Sequence, residues 1–221
     1  MKTNLFLNVG SIFCLSTLVL AASAAAPISH KVQHPLAMPE SESPKQRVRG
    51  HNDVFYGPIP KAEQIFNIDF LEIAPTPVPV SRYFFVLLRG ETPPSTRQKL
   101  HLEPAQLSDT TLSITVSAVL DEKDGGGIIE PRTYSIPLRT AQLAEGAQLS
   151  IRNATGVYVD YMAVEGSHDV LADVWIPGMF VQKGTYTFEV VASIGRGEGE
   201  KQGACLFALT LTQWLGGEDG W

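Results

Sequence analysis

Cysteine is almost missing from this sequence: among 221 residues only Cys14 and Cys205 are cysteine. Cys14 lies in an apolar N-terminal stretch that reads as a cleavable leader, which leaves one thiol and no internal disulfide. The core must therefore hold the fold alone. Cys205 itself sits in the apolar run GACLFALTLTQWL, where a buried, inert thiol is expected.

Basic residues are scarce too. Lys and Arg number 17 against 23 Asp and Glu, the formal net charge is -6, and the densest basic group is Lys45, Arg47 and Arg49 in KQRVR. A chain of this kind offers no basic face to a phosphate backbone, which excludes nucleic acid as a partner. KQRVR reads as solvated linker, with a processing site as the alternative. Beyond residue 24 no segment reaches the ~20 consecutive apolar residues of a membrane span.

Chemistry-bearing constellations are absent as well. Of the histidines His30, His34, His51, His101 and His168, the first three precede residue 61. Ser167, His168 and Asp169 are consecutive, whereas a triad needs groups converging from separate elements, so they read as a polar turn. Glu165, His168 and Asp169 match no metal-ligand spacing. Gly195, Gly197 and Gly199 have neither the G-x-G-x-x-G spacing nor a following helix, and read as a hairpin loop. The sequence thus predicts no catalytic activity, no cofactor and no metal site. With only His101 and His168 in the folded domain, no histidine-driven pH switch is expected.

What is present begins with an address. Lys2, the apolar run Leu5 to Leu20 and the small residues Ala22-Ser23-Ala24 make residues 1–24 a signal peptide, placing the mature chain in the secretory pathway. Residues 25–60, with Pro27, Pro35, Pro39 and Pro44 among polar residues, read as a disordered linker or propeptide. The domain is expected over 61–215, followed by a flexible tail at 216–221. At 44% hydrophobic residues it can fill one sizeable core.

From residue 61 the apolar period is two. TLSITVSAVL at 111–120 puts Leu112, Ile114, Val116, Ala118 and Leu120 on one face, and TYTFEVVASI at 185–194 does the same with Tyr186, Phe188, Val190, Ala192 and Ile194. CLFALTLTQW sets Cys205, Phe207, Leu209 and Leu211 on one face, with Leu206 and Trp214 off-pattern. Further strands are predicted at 65–73, 82–89, 132–138, 157–164 and 169–176, separated by turn chemistry such as DEKDGGG, AEGAQ and EGSHD. Trp175 and Trp214 are expected in the core or at a sheet edge. The prediction is an all-β, immunoglobulin-like two-sheet antiparallel β-sandwich of about eight strands. Asn153-Ala154-Thr155 is a glycosylation sequon in an exposed turn, making Asn153 a candidate modification site.

The segment IPGMFVQKGTYTFEVVASIGRGEGEKQGACLFALTLTQWL, at 176–215, resembles the last hairpin of the ML lipid-recognition family, and most of all the fungal phosphatidylglycerol/phosphatidylinositol transfer proteins. The matching parts are Pro177, Gly184, Tyr186, the 195–203 loop, Cys205 and Leu206. FNIDFLEIAPTPVPVSRYFFVLLRG, at 66–90, is similar to that family's first hairpin through Ile68 to Ile73, Pro75, Pro77, Tyr83 to Leu88 and Gly90. The similarity spans roughly 64–215 at the level of pattern, and departs from the family in lacking its disulfides.

The resemblance implies a secreted or vacuole-lumen protein that holds a phospholipid or sterol between two splayed sheets, with transient membrane contact. Its cavity would be lined by Leu112, Ile114, Val116, Tyr134, Ile136, Tyr186, Phe188, Val190, Phe207 and Leu209, with Arg82, Arg89 and Lys183 near strand ends to meet a headgroup. Periodicity alone says only that such residues face inward, and a filled core would line up the same way. The alternative expectation is therefore a secreted, non-enzymatic structural or interaction protein. A carbohydrate-binding module would need a row of exposed aromatics on one sheet face, where the sequence places mostly Thr and Ser.

Overall fold

Alternating β-branched and aromatic residues favour a pleated, half-buried surface, and prolines and glycines cut the chain into short pieces. The computed structural model, which describes residues 45–95, 107–195 and 204–216, shows the result as two antiparallel sheets packed as a sandwich. The strands are β1 (Val54–Tyr56), β2 (Asn67–Ala74), β3 (Tyr83–Thr92), β4 (Thr111–Leu120), β5 (Gly127–Pro137), β6 (Ala141–Ala144), β7 (Ala147–Asn153), β8 (Tyr158–Val159), β9 (Gly166–Trp175), β10 (Gly184–Ser193) and β11 (Cys205–Leu215). One sheet has the order β1-β11-β10-β4-β5; the other runs β2-β3-β9-β7-β6, with β8 also paired to β7. Residues 1–24, expected as a signal peptide, residues 217–221 of the expected tail, His101 and most of the 195–203 loop lie outside the described residues.

Among the described residues there are eleven strands, against about eight expected. Three of the differences have a clear cause. The stretch 45–60, expected as linker, is part of the fold from residue 45 onward: Val48 and Val54 are buried, Arg47 bridges to Phe55, and β1 pairs with β11. Its contribution is a few core side chains and many backbone bonds, which composition does not reveal. The Leu71 and Ile73 amides donate to the carbonyls of Arg49 and His51, closing the edge of β2. KQRVR is accordingly no solvated linker, with Arg47 donating to Asp53 at 2.7 Å.

The second difference is β9. EGSHD was expected as a turn, yet the strand begins at Gly166, with Ser167 and Asp169 on its outer side and His168 buried on the inner one. The third is the region 141–159, where short strands of two to seven residues carry too few alternations for a period to show.

The connector APTPVPVS between β2 and β3 answers its composition. Prolines cannot donate to a ladder, so the strand ends at Ala74 and the chain crosses the end of the sandwich. It is held there by the side chain of Gln213 on β11, which accepts from the Val78 amide and donates to the Val78 carbonyl, each at 3.1 Å. The Ser81 amide donates to Ile176 O, tying the connector to the segment after β9. Gly90 on β3 is required by close approach: a Cβ there would overlap the Asn67 carbonyl and the Phe66 ring.

Candidate functional site

The register brings the predicted lining residues onto one face of one sheet. Ile136, Leu112, Ala192 and Phe207 form one cross-strand row; Tyr134, Ile114, Val190 and Leu209 form the next; Val116, Phe188 and Leu211 lie in the third, and Tyr186 pairs with Ala118 beyond it. Antiparallel partners share a face, so all of these side chains point toward the other sheet. Tyr134 is the outlier. On the edge strand β5 it remains 43% exposed, because no further strand covers that flank.

Burial along this face is uneven. Leu112, Ala192 and Phe207 are sealed, as are Ala118 and Tyr186, but Ile114, Val190, Val116, Phe188 and Leu211 between them keep accessible surface. The facing sheet repeats the pattern. Leu88, Val170 and Ile151 are buried, while Val86, Ala172 and Val174 are only partly so. Consistent with this, the buried residues fall into two clusters: a large one around Phe66, Leu71, Ile151, Ile194 and Leu206, and a small one of Ala118, Tyr186 and Leu215. Val80 of the proline connector, Val116, Phe188 and Val181 pack against the small cluster, whereas Ile114, Val190 and Leu211 pack against the large one.

Sequence reasoning missed half of this seam. Strands were predicted at 82–89 and 169–176, close to the observed β3 and β9, but no residue of either was named as lining. Leu206, off-pattern in the sequence, is buried where the 57–66 segment runs along β11, its Phe66 amide donating to Leu206 O at 2.8 Å.

The connector end also carries exposed aromatic groups on both outer faces. Tyr83 and Trp175 are cross-strand partners on one sheet, and Trp214 stands on the other, its indole N–H donating to Asp121 at 3.1 Å. Trp175 is 37% and Trp214 52% exposed, so neither lies in the core, the first of the two places expected from sequence. Of the basic candidates, Arg82 is exposed at this end and Lys183 is half-buried. Arg89 stands elsewhere. It lies far along β3 and is committed to Asp169 by two parallel bonds, Nε to Oδ1 at 2.7 Å and Nη2 to Oδ2 at 2.9 Å.

The titratable groups are occupied structurally. Hydrogen bonding from Arg89 holds the Asp169 carboxyl below its ordinary value, against some desolvation. Burial pulls the His168 imidazole below its ordinary value, against the opposing pull of the Gly166 backbone and Asp169. Its Nε2 accepts the Ala163 amide at 3.0 Å, which fixes the neutral ring with its proton on Nδ1. Cys205 is half-buried, and burial, with Glu63 adding to it, pushes its thiol up to about 11. Asn153 lies at the end of β7, its Oδ1 accepting the amide and hydroxyl of Thr155 and the amide of Val157. Among the described residues no cluster of His, Cys, Asp and Glu could hold a metal ion, and no helix is long and apolar enough to cross a membrane.

A two-sheet antiparallel β-sandwich is the class that the fold defines. Compared with known proteins, the chain matches no family model, and no characterised protein is significantly similar to it.

Proposed function

We propose that this chain is a secreted, non-enzymatic lipid-binding protein that takes an apolar chain, of a phospholipid or sterol, into the seam between its sheets. The observation that carries this reading is the run of inward-facing yet accessible residues Ile114, Val116, Phe188, Val190 and Leu211, set between sealed rows on either side. In an ordinary filled core, side chains in the middle of a sandwich interdigitate at close-packed density. Here the middle is looser than the main core beside it.

Energetics favour such an occupant. Each buried CH2 gains about 0.8 kcal/mol relative to water, so a 16-carbon chain is worth on the order of 12 kcal/mol gross. A bilayer already shelters those tails, and uptake therefore requires the protein to meet the membrane. Tyr83, Trp175 and Trp214 at the connector end have the amphipathic character suited to that interface, and Arg82 stands beside Tyr83 to meet an anionic headgroup.

A second reading is favoured by a specific observation. Two concavities among the described residues lie outside the inter-sheet space, one around Arg152 and one around Val119 and Ile128. On that reading the seam stays closed and the protein acts through its outer surfaces as an interaction module. Titration with a fluorescent fatty acid separates the two. Lipid binding predicts saturable emission that Leu211→Trp abolishes by filling the seam, with unfolding still cooperative; the interaction reading predicts no binding by either form.

A further inference from the structure

The larger of the two outer concavities, about 560 Å³, is unrelated to the seam. It lies where β3, β7 and β9 run side by side, and its wall includes Arg89, Arg152, Asn153, Ser167, His168 and Asp169. Its chemistry is dominated by donors. The Asp169 carboxylate accepts from Arg89 Nε and Nη2 and from Arg152 Nη2, the last at 3.3 Å, so one carboxylate serves two guanidiniums. Asp69 adds a weaker attraction on Arg89.

Several donors are left over. Arg152 Nε is buried without a hydrogen-bond partner. A guanidinium carries five N–H groups in a fixed fork and cannot lose its charge, so an unspent buried Nε is costly unless an acceptor arrives. The Tyr158 ring lies 6.0 Å from the Arg152 guanidinium and helps hold its plane. Asn153 spends its Oδ1 on the 155–157 turn, so what its amide still offers is the Nδ2 donor. The Arg89 side chain remains about half exposed beside its bonds to Asp169.

We propose that this pocket binds a phosphate-type oxyanion, with Arg152 as its anchor, Arg89 as the second guanidinium and Asn153 Nδ2 as a neutral donor. A tetrahedral oxyanion supplies the two guanidiniums with acceptors beyond the Asp169 carboxylate, in the forked geometry a guanidinium recognises. Asp169 sets the spacing of the two arginines and limits the site to one anion. The site does not depend on lipid entering the seam.

Isothermal titration of full-length mature protein, made in a host that adds no N-glycan, with inorganic phosphate at low ionic strength tests it. The expected result is one site with a dissociation constant of about 1 mM, weakened at least about tenfold in Arg152→Gln and unchanged in Arg132→Gln, which lies on edge strand β5 of the other sheet. Should Arg152→Gln lose its near-ultraviolet circular dichroism, Arg89→Gln is the replacement, with the same weakening expected. Flotation with phosphatidylcholine vesicles containing phosphatidic acid then separates the sources: co-flotation that free phosphate competes away identifies a lipid headgroup, and none identifies a soluble phosphate. Absence of phosphate binding to the parent protein, or equal binding by the folded arginine variants, overturns the proposal.

Discussion

Asn52 shows how much can rest on one side chain. It is buried, its Nδ2 donating to Leu71 O at 2.7 Å and its Oδ1 accepting the Val54 amide at 2.9 Å. One amide thereby ties the approach to β1 onto β2. Asn52→Ala leaves two backbone groups unpaired away from water, and the expected loss is about 2–3 kcal/mol in urea unfolding at unchanged slope. Nothing in the sequence marked this residue, because a lone Asn among polar neighbours reads as loop. Cys205 was legible as an unreactive thiol, and the structure adds the cause. With its pKa pushed up to about 11 against an ordinary value near 8.5, the thiolate fraction at pH 8 falls by roughly a hundredfold. Maleimide should label it correspondingly slowly until denaturant is added; labelling as fast as that of a free peptide thiol contradicts the burial. His168 and Asp169 set the acid limb of stability. The folded value of each lies below its unfolded one, so each contributes fully above the unfolded value and loses that contribution as pH falls through the folded one. For His168 the loss begins below about pH 6.5, and for Asp169 below about pH 4. Denaturant midpoints should therefore fall on acidification from pH 7.5 to 5, and His168→Gln should flatten that slope.

Elements with clear alternation and one polar face were readable from sequence: β3, β4, β10 and β11 stand close to where periodicity predicted them. The unread ones fail for physical reasons. Strand β1 is too short for a period, and the first three residues of β9, ahead of the strand predicted at 169–176, read as a turn because their inward member, His168, is buried through a hydrogen bond instead of through apolarity. The consequence for β1 is testable. A chain beginning at residue 61, where composition places the domain boundary, loses β1 and buried Val48, exposes the edge of β11, and should aggregate or unfold without cooperativity. A chain beginning at residue 45 should unfold as the longer one does. The proline connector makes a second prediction at this scale. Gln213→Leu removes both hydrogen bonds to Val78, and each is worth about 1 kcal/mol, so a loss of about 1–3 kcal/mol is expected with faster proteolytic nicking at 75–81. Unchanged stability and nicking would mean the connector is held by its prolines alone.

At the scale of the molecule, the ten inward candidates named from sequence share one sheet face, and their common orientation was legible because antiparallel register preserves a period of two. Their uneven burial was not. Whether an inward residue is sealed depends on the spacing of two sheets that only the tertiary structure sets, and the sequence pattern is the same for a filled core and an open seam. The loosened rows between two buried clusters, beside an end that carries Tyr83, Trp175 and Trp214, are what the lipid reading rests on. Native mass spectrometry of protein purified from a eukaryotic host tests it most directly. The account predicts a bound mass in excess of polypeptide and any glycan, released by organic solvent and identified as lipid. A mass equal to polypeptide plus glycan alone, together with failure to displace a fluorescent fatty acid, would contradict it.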